Sequence, residues 1–341
     1  MKKLVSIVIP AYNAEKFIDR SVNSILKQKI NSDKIEILVV ENGSTDNTSK
    51  VIKKIAEKEP CVRLLHSDKG VSNARNMGIN LANGKWLIFI DADDILLPNT
   101  LNKILEEAEA TQSDIYFYGH RNHENRPVCD NGIEEIFTSK NMEKCKIKLL
   151  KNPTRYMQVW AKVFKTEFLQ TNKLKFKTDL RLSEDSDFCF RSIRVAEKVE
   201  FKNKIIYEVL PNPSSATRTF DGNKAKDYVY ALEETQKIIG NESQEVKNAY
   251  KSYILMHMNI AMVREVFSMN NKDVFLKKYI NMKTLIREPI FYKAIDKTDT
   301  KECTSFRMLP ILCLKLHFGF GAAFIYCIRA LQNQLKEKKE R

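Results

Sequence analysis

A chain of 341 residues, 43% apolar and 29% charged, can hold one large or two ordinary domains and bury a core, so a disordered or fibrous class is excluded. Seven cysteines stand singly at 61, 129, 145, 189, 303, 313 and 327, with no C-x-x-C. No disulfide framework is expected, and the thiols read as reduced, in a cytosolic compartment. Net charge is +14, and residues 251–341 carry 17 Lys and Arg against 8 Asp and Glu, which points that third toward an anionic surface, lipid or nucleic acid.

The chain opens on a run at 4–9, closed by Pro10, that reads as a strand too short and too alternating for a signal peptide. Asn13 is placed to cap a helix from about 14 to 28, with Phe17, Ile18, Val22, Ile25 and Leu26 as its apolar face. A second strand at 35–40 ends in a tight turn through Gly43, where the residues 44–46 can cap a helix over 47–58. A third strand at 62–65, a loop through Gly70 and a helix over 72–83 lead to the run 86–90. This alternation over 95 residues predicts a parallel, right-handed βαβ sheet with its ligand site at the carboxyl ends of the strands.

The run 86–90 is apolar throughout, which suits a strand buried on both faces, and it enters Asp91-Ala92-Asp93-Asp94. Three carboxylates so close repel one another unless they face water and a cation. Such a cluster at a strand's carboxyl end suits Mg²⁺ or Mn²⁺ with a phosphorylated ligand, and a solvated acidic turn is the plain alternative. There is no G-x-G-x-x-G and no G-x-x-x-x-G-K-[ST], so a dinucleotide fingerprint or P-loop is not expected.

Beyond the cluster, a helix is expected from Pro98 to 111 and a strand at 113–118. Residues 119–155 are polar and irregular, and no element is read there. A short strand or turn at 159–164 carries an exposed-looking Lys162. A helix opens near Ser183 with Glu184, Asp185 and Asp187 in its first turn, and Phe188 and Ile193 placed to hold it on the sheet. Two strand-like runs, 199–202 and 205–210, precede a loop containing Pro211, Pro213 and Arg218; from about 224 the pattern is helical. His66, His120 and His123 show no ligand spacing.

Five segments taken together resemble the family 2 glycosyltransferases of GT-A fold: residues 5–13 (VSIVIPAYN), 40–46 (VENGSTD), 70–78 (GVSNARNMG), Asp91 to Asp94, and Glu184-Asp185. The resemblance covers roughly residues 4–218. It implies an α/β, Rossmann-like, mostly parallel sheet flanked by helices and followed by a helical C-terminal region. The implied organisation is a catalytic domain at 1–220, with a nucleotide-binding half at 1–95 and an acceptor half at 96–220, and a helical, basic region at 221–341.

The resemblance also implies roles. The turn at Pro10 and Tyr12 would cradle a nucleobase. Where the family usually has two aspartates after the second strand, this chain has Glu41 and Asn42, and Asn42 can still accept a hydrogen bond from uracil N3–H. Arg75 would reach the nucleotide. Asp91 would contact ribose or the cation's water shell, Asp93 would bind the cation, and Asp94 would support it or meet the sugar. Asp185 would be the catalytic base, with Glu184 and Asp187 as rivals. Trp160 would stack on an acceptor sugar, Lys162 would neutralise an acceptor anion, and Arg218 would fold over the diphosphate.

The implied reaction is a metal-dependent, inverting transfer of a sugar from a nucleotide-sugar, UDP-linked, to a glycan on a lipid carrier. Bacterial capsule, exopolysaccharide or lipopolysaccharide synthesis is the usual setting. Nucleotidyl transfer to sugar phosphates is an alternative, disfavoured because Ala11-Tyr12-Asn13 stands where a Gly- and Arg/Lys-rich loop is needed. A non-enzymatic protein binding an anionic surface is another.

The run at 308–331 is rich in Leu, Ile and Phe but broken by Lys315, His317 and glycines, which argues against a membrane span. With basic flanks, the segment 306–341 suits a helix pair in the headgroup layer at the inner face of the cytoplasmic membrane. Packing within the protein or in a homodimer competes with that reading. Basic residues interleaved with aliphatics favour a membrane over nucleic acid.

Overall fold

The computed structural model describes residues 3–122, 127–128, 133–212 and 220–339, which form two compact units. The first comprises Met1–Leu149, Pro153–Asp179 and Glu184–Leu210; the second comprises Leu150–Asn152, Leu180–Ser183 and Pro211–Arg341.

In the first unit, strands and helices alternate as β1 (Val5–Ala11), α1 (Ile18–Leu26), β2 (Ile35–Glu41), α2 (Thr48–Ala56), β3 (Val62–His66), α3 (Val71–Leu81) and β4 (Trp86–Phe89). There follow β5 (Ile95–Leu96), α4 (Leu101–Thr111), β6 (Ile115–Asn122), β7 (Pro127–Val128), β8 (Glu135–Thr138), α5 (Met142–Lys151) and α6 (Pro153–Tyr156). The elements β9 (Lys162–Lys165), α7 (Thr166–Thr171), α8 (Glu184–Val195) and β10 (Lys198–Val209) complete the series. The sheet runs β3-β2-β1-β4-β9-β6-β10-β5, with β7 beside β6 and β8 beside β10. From β3 to β4 every pairing is parallel, β9 is antiparallel to both neighbours, and β10 returns parallel to β6. The sheet is thus parallel from β3 to β4 and mixed beyond it.

β1, β2 and β4 are buried on both faces, as their unbroken apolar runs require. Helix α3 lies close on β1. A Cβ added at Gly78 would sit 2.3 Å from Val8 Cγ1, so only glycine allows this approach, and the approach carries Arg75 to the sheet edge.

Several boundaries differ from expectation for local reasons. Helix α1 starts at Ile18 because Asn13 does not cap it; Asn13 takes φ 48° and accepts the Thr45 N–H at 2.8 Å instead. Asn99, at φ 57°, delays α4 to Leu101. The two runs 199–202 and 205–210 form one strand, β10, whose register shifts between Phe201 and Ile205, across the polar Lys202-Asn203-Lys204. The unread stretch 119–155 supplies the end of β6, β7, β8, α5 and α6.

The second unit is helical: α9 (Lys224–Ile239), α10 (Gln244–Ala261) ending in a π-helical turn at Met262–Val266, α11 (Phe275–Leu285), α12 (Pro289–Asp296), α13 (Leu309–Lys315) and α14 (Gly319–Lys339). Met258, Met262, Val263, Val266 and Phe267 are buried in its core. No described helix is long and apolar enough to cross a membrane. The six described cysteines are free thiols.

Candidate active site

The carboxyl ends of β1 and β2 lie side by side, with Ala11 opposite Glu41 and the Asn42 N–H donating to the Ala11 carbonyl at 3.1 Å. Asn13 stitches the two turns together, donating its N–H to Ser44 Oγ at 3.0 Å. Glu41 is committed to its own turn: one carboxylate oxygen accepts the Ser44 N–H and the other faces His66 Nδ1 at 3.1 Å. Burial alone would raise the Glu41 pKa, but these hydrogen bonds outweigh it and hold the carboxyl below its ordinary value. Asn42 is only 3% exposed, yet its Oδ1 is buried without a hydrogen-bond partner among the described residues. Tyr12 is 44% exposed, with Lys69 Nζ 5.4 Å from its ring centre, and Pro10 is buried within β1. An open ring, a nearby cation and an unused buried acceptor thus share one edge.

At the end of β4 the acids divide. Asp94 is buried: Tyr207 Oη donates to one oxygen at 2.8 Å and the Leu210 N–H to the other at 2.9 Å. Tyr207 Oη also accepts the Asp91 N–H at 3.1 Å, so one phenol braces the whole turn. Asp94, expected to support the cation or meet the sugar, thus braces the turn with both oxygens. Its pKa is pushed up to about 8 by burial and by the charges of Asp91 and Asp93. Asp93 stays partly exposed, and its carbonyl accepts from Arg20 Nη2 at 2.8 Å.

Arg75 is the junction of the site. Its Nη1 donates to Asp185 Oδ1 at 2.6 Å and to Glu184 Oε1 at 3.2 Å, and its Nη2 to Asp91 Oδ1 at 3.1 Å. The guanidinium lies 5.3 Å from the Phe176 ring centre. Arg75, expected to reach a nucleotide, is buried and gives Nη1 and Nη2 to three acids, while its Nε has no hydrogen-bond partner among the described residues. Burial opposes the Arg75 charge, but Asp185, Asp91 and Glu184 more than restore it, so the pKa rises. Burial and the neighbouring Asp185 push Glu184 up to about 7, and burial raises Asp91 to about 6 against the pull of Arg75.

Asp185 and Glu184 reach this point because α8 is fixed from beneath. Phe188 stacks on Phe176 with ring centres 3.9 Å apart and meets Phe89 and Phe164 edge-on at 6.3 and 5.8 Å. Each such pair is worth about 0.5–1.5 kcal/mol beyond burial. The second Asp185 oxygen accepts the Val159 N–H at 3.2 Å. Asp185 keeps about a fifth of its side chain exposed, so lone pairs remain open to the cleft.

The acceptor-side expectations fare differently. Lys162 is 1% exposed, not a surface cation; its ammonium donates to the Gln158 carbonyl, lies 4.5 Å from the Phe117 ring centre, and has its pKa lowered to about 8 by burial. Trp160 is partly buried, with one face stacked on Tyr207 at 4.8 Å and His120 edge-on at 4.6 Å. Asp187 is buried and pairs with Arg191 at 2.6 Å, which removes it as a rival base. Arg218 and His123 lie outside the described residues. Sequence reasoning missed Tyr207, although a tyrosine among the aliphatics of 205–210 signals a hydroxyl that seeks a partner when buried.

The donor set fits a hard divalent cation. Burial and the charge of Asp93 raise the proton affinity of Asp91 and Asp94, a cost that a cation relieves, and oxygen ligands suit Mg²⁺ or Mn²⁺. Among the described residues no three His, Cys, Asp or Glu side chains gather to hold a metal alone, so Asp93 would offer one carboxylate and a bound diphosphate the rest.

Residues 6–170 match the model of "Glycosyl transferase family 2". The glycosyltransferase EpsJ of Bacillus subtilis (strain 168) is 31% identical over 221 residues, which is 64% of this chain and 64% of EpsJ. The poly(ribitol-phosphate) β-N-acetylglucosaminyltransferase TarP of Staphylococcus aureus (strain N315) is 27% identical over 75% of this chain and 77% of its own. Among solved structures, residues 1–349 of S. aureus TarS in complex with UDP-GlcNAc superpose with a TM-score of 0.66 at 17% identity, over 95% of this chain and 90% of that one. That likeness establishes the GT-A fold.

Proposed function

The chain belongs to glycosyl transferase family 2 through residues 6–170, and on that premise we propose that it moves one sugar from a UDP-sugar to a hydroxyl of a cell-surface glycan acceptor, with inversion at the anomeric carbon. The observation that carries the reading is the Arg75 guanidinium, which holds Asp185 and the strand-end Asp91 together at one cleft edge. A base and a phosphate-binding acid cluster facing the same space are what direct displacement needs.

Each residue then has a task. The unused Asn42 Oδ1 accepts from uracil N3–H, and Tyr12 covers the base. Glu41 shapes the turn beside them. Asp93 holds the cation and Asp91 its water shell or the ribose. When bound, the cation supplies Lewis-acid stabilisation of the departing diphosphate. Asp185 takes the acceptor hydroxyl's proton as that oxygen bonds to the anomeric carbon and the bond to UDP breaks. Arg75 and the Val159 N–H keep Asp185 aimed.

TarP and TarS are named as N-acetylglucosaminyltransferases, which makes UDP-N-acetylhexosamines the first donors to try. For the acceptor we propose a lipid-linked or polymeric glycan of capsule, exopolysaccharide or lipopolysaccharide type, met at the inner face of the membrane, where the surplus of cations over residues 251–341 would hold the enzyme. The test is UDP release from UDP-sugars. Release that needs Mg²⁺ or Mn²⁺ and disappears in Asp93→Ala supports the proposal. Pyrophosphate release from a nucleoside triphosphate would replace it with nucleotidyl transfer.

A further inference from the structure

Helix α14 has two apolar faces. Ala322, Ala323, Tyr326 and Ala330 are buried on one. Phe320, Phe324, Ile328, Leu331 and Leu335 recur at spacings of three and four on the other, and Phe324 is 63% exposed. From Phe320 to Leu335 the stripe covers 16 residues, a rise of about 22 Å at 1.5 Å per residue. It continues onto α11, where Tyr279 stacks on Phe320 at 4.4 Å and Leu276 and Ile280 stand exposed. Leu316 and Phe318 in the turn before α14 are exposed as well. Monomeric soluble proteins rarely leave so much contiguous apolar surface open.

The charge around this face selects its partner. Residues 303–336 contain no Asp or Glu, while Arg307 stands exposed and Lys315 half-buried among them. Lys283 adds an exposed cation on α11. A second copy would bring the same cations against these. An aromatic stripe with cations and no acid suits a layer that is apolar within and anionic at its surface. No described helix can span such a layer, so the helix would lie along it.

We propose that this face of α11 and α14 docks on the surface of an anionic lipid bilayer, with Phe320, Phe324, Ile328 and Leu331 entering the acyl boundary. The inference names the contact surface behind the membrane placement proposed above and rests on it; the transfer chemistry stands without it.

The test is co-sedimentation of the full chain with phosphatidylcholine vesicles, with and without phosphatidylglycerol, against the double variant Phe320→Ser/Phe324→Ser. Binding should require phosphatidylglycerol, weaken with salt, and fall by about tenfold or more in the variant, as expected for two exposed phenylalanines that no longer insert. UDP-sugar hydrolysis in vesicle-free buffer should be the same in both proteins, which also shows that the variant is folded. Equal vesicle binding by the two proteins, or none by the parent, overturns the proposal. So does a parent that is dimeric without lipid and a variant that is monomeric, because the face would then be a subunit interface.

Discussion

Arg75 Nη1 stands 2.6 Å from Asp185 Oδ1, and the arginine side chain is only 4% exposed. An ion pair so placed fixes the direction of Asp185, and the same guanidinium spans to Asp91. Removing it leaves three acids facing one another. Breaking a buried pair costs about 3–5 kcal/mol, reduced here because Asp91 and Asp185 are partly exposed. Arg75→Ala should lose about 2–4 kcal/mol by urea unfolding at pH 8. Much of that should return at pH 5.5, where the crowded acids can protonate. Arg75→Lys, whose single ammonium cannot bridge in the same way, should fall between.

Asn42 Oδ1 is a buried acceptor with no hydrogen-bond partner among the described residues. If uracil supplies the missing donor, Asn42→Leu should raise the KM for the UDP-sugar about 5- to 30-fold, the equivalent of about 1–2 kcal/mol for one hydrogen bond. Its kcat should stay within about twofold. Steady-state kinetics across donor concentrations separates the two.

His120 is buried against Trp160, and burial, with Lys162 and Arg155 nearby, lowers its pKa to about 4. The unfolded chain therefore binds a proton that the folded one refuses between about pH 6.5 and 4. Its contribution to stability is complete above that range and is lost as pH falls, at up to about 1.36 kcal/mol per pH unit. His257 is buried with a pKa also lowered to about 4, so two protons share the effect. Unfolding free energies measured from pH 7 to 4.5 should fall less steeply in His120→Phe than in the parent.

Lys162, tied to the Gln158 carbonyl inside the unit, should matter to the fold and not to acceptor charge. Lys162→Met should change KM for an anionic acceptor by less than about twofold. A tenfold rise would return it to the acceptor site.

The strand and helix series up to β4 was legible because burial on both faces leaves unbroken apolar runs, and because Gly43 and Gly70, both at positive φ, punctuate them. The acid cluster was legible for a similar reason: Asp91, Asp93 and Asp94 in four positions demand an explanation. What those acids do individually was not legible. Asp94 became a brace and Arg75 a junction through Tyr207 and α8, partners more than 100 residues away. Lys162 looked exposed because a short run cannot reveal that its ammonium lies over the Phe117 ring inside the unit. The irregular stretch 119–155 hid β8 and α5 because neither carries a clean period in so polar a segment.

The account rests most directly on Asp185. Transfer from a UDP-sugar should be compared in the parent, Asp185→Asn and Glu184→Gln, alongside donor binding. The amide keeps the side chain's shape but cannot take the acceptor's proton. Asp185→Asn should therefore lower kcat by about 10²- to 10⁴-fold while donor affinity stays within a few-fold, and Glu184→Gln should cost far less. Near-parent turnover in Asp185→Asn, or the larger loss in Glu184→Gln, would contradict it.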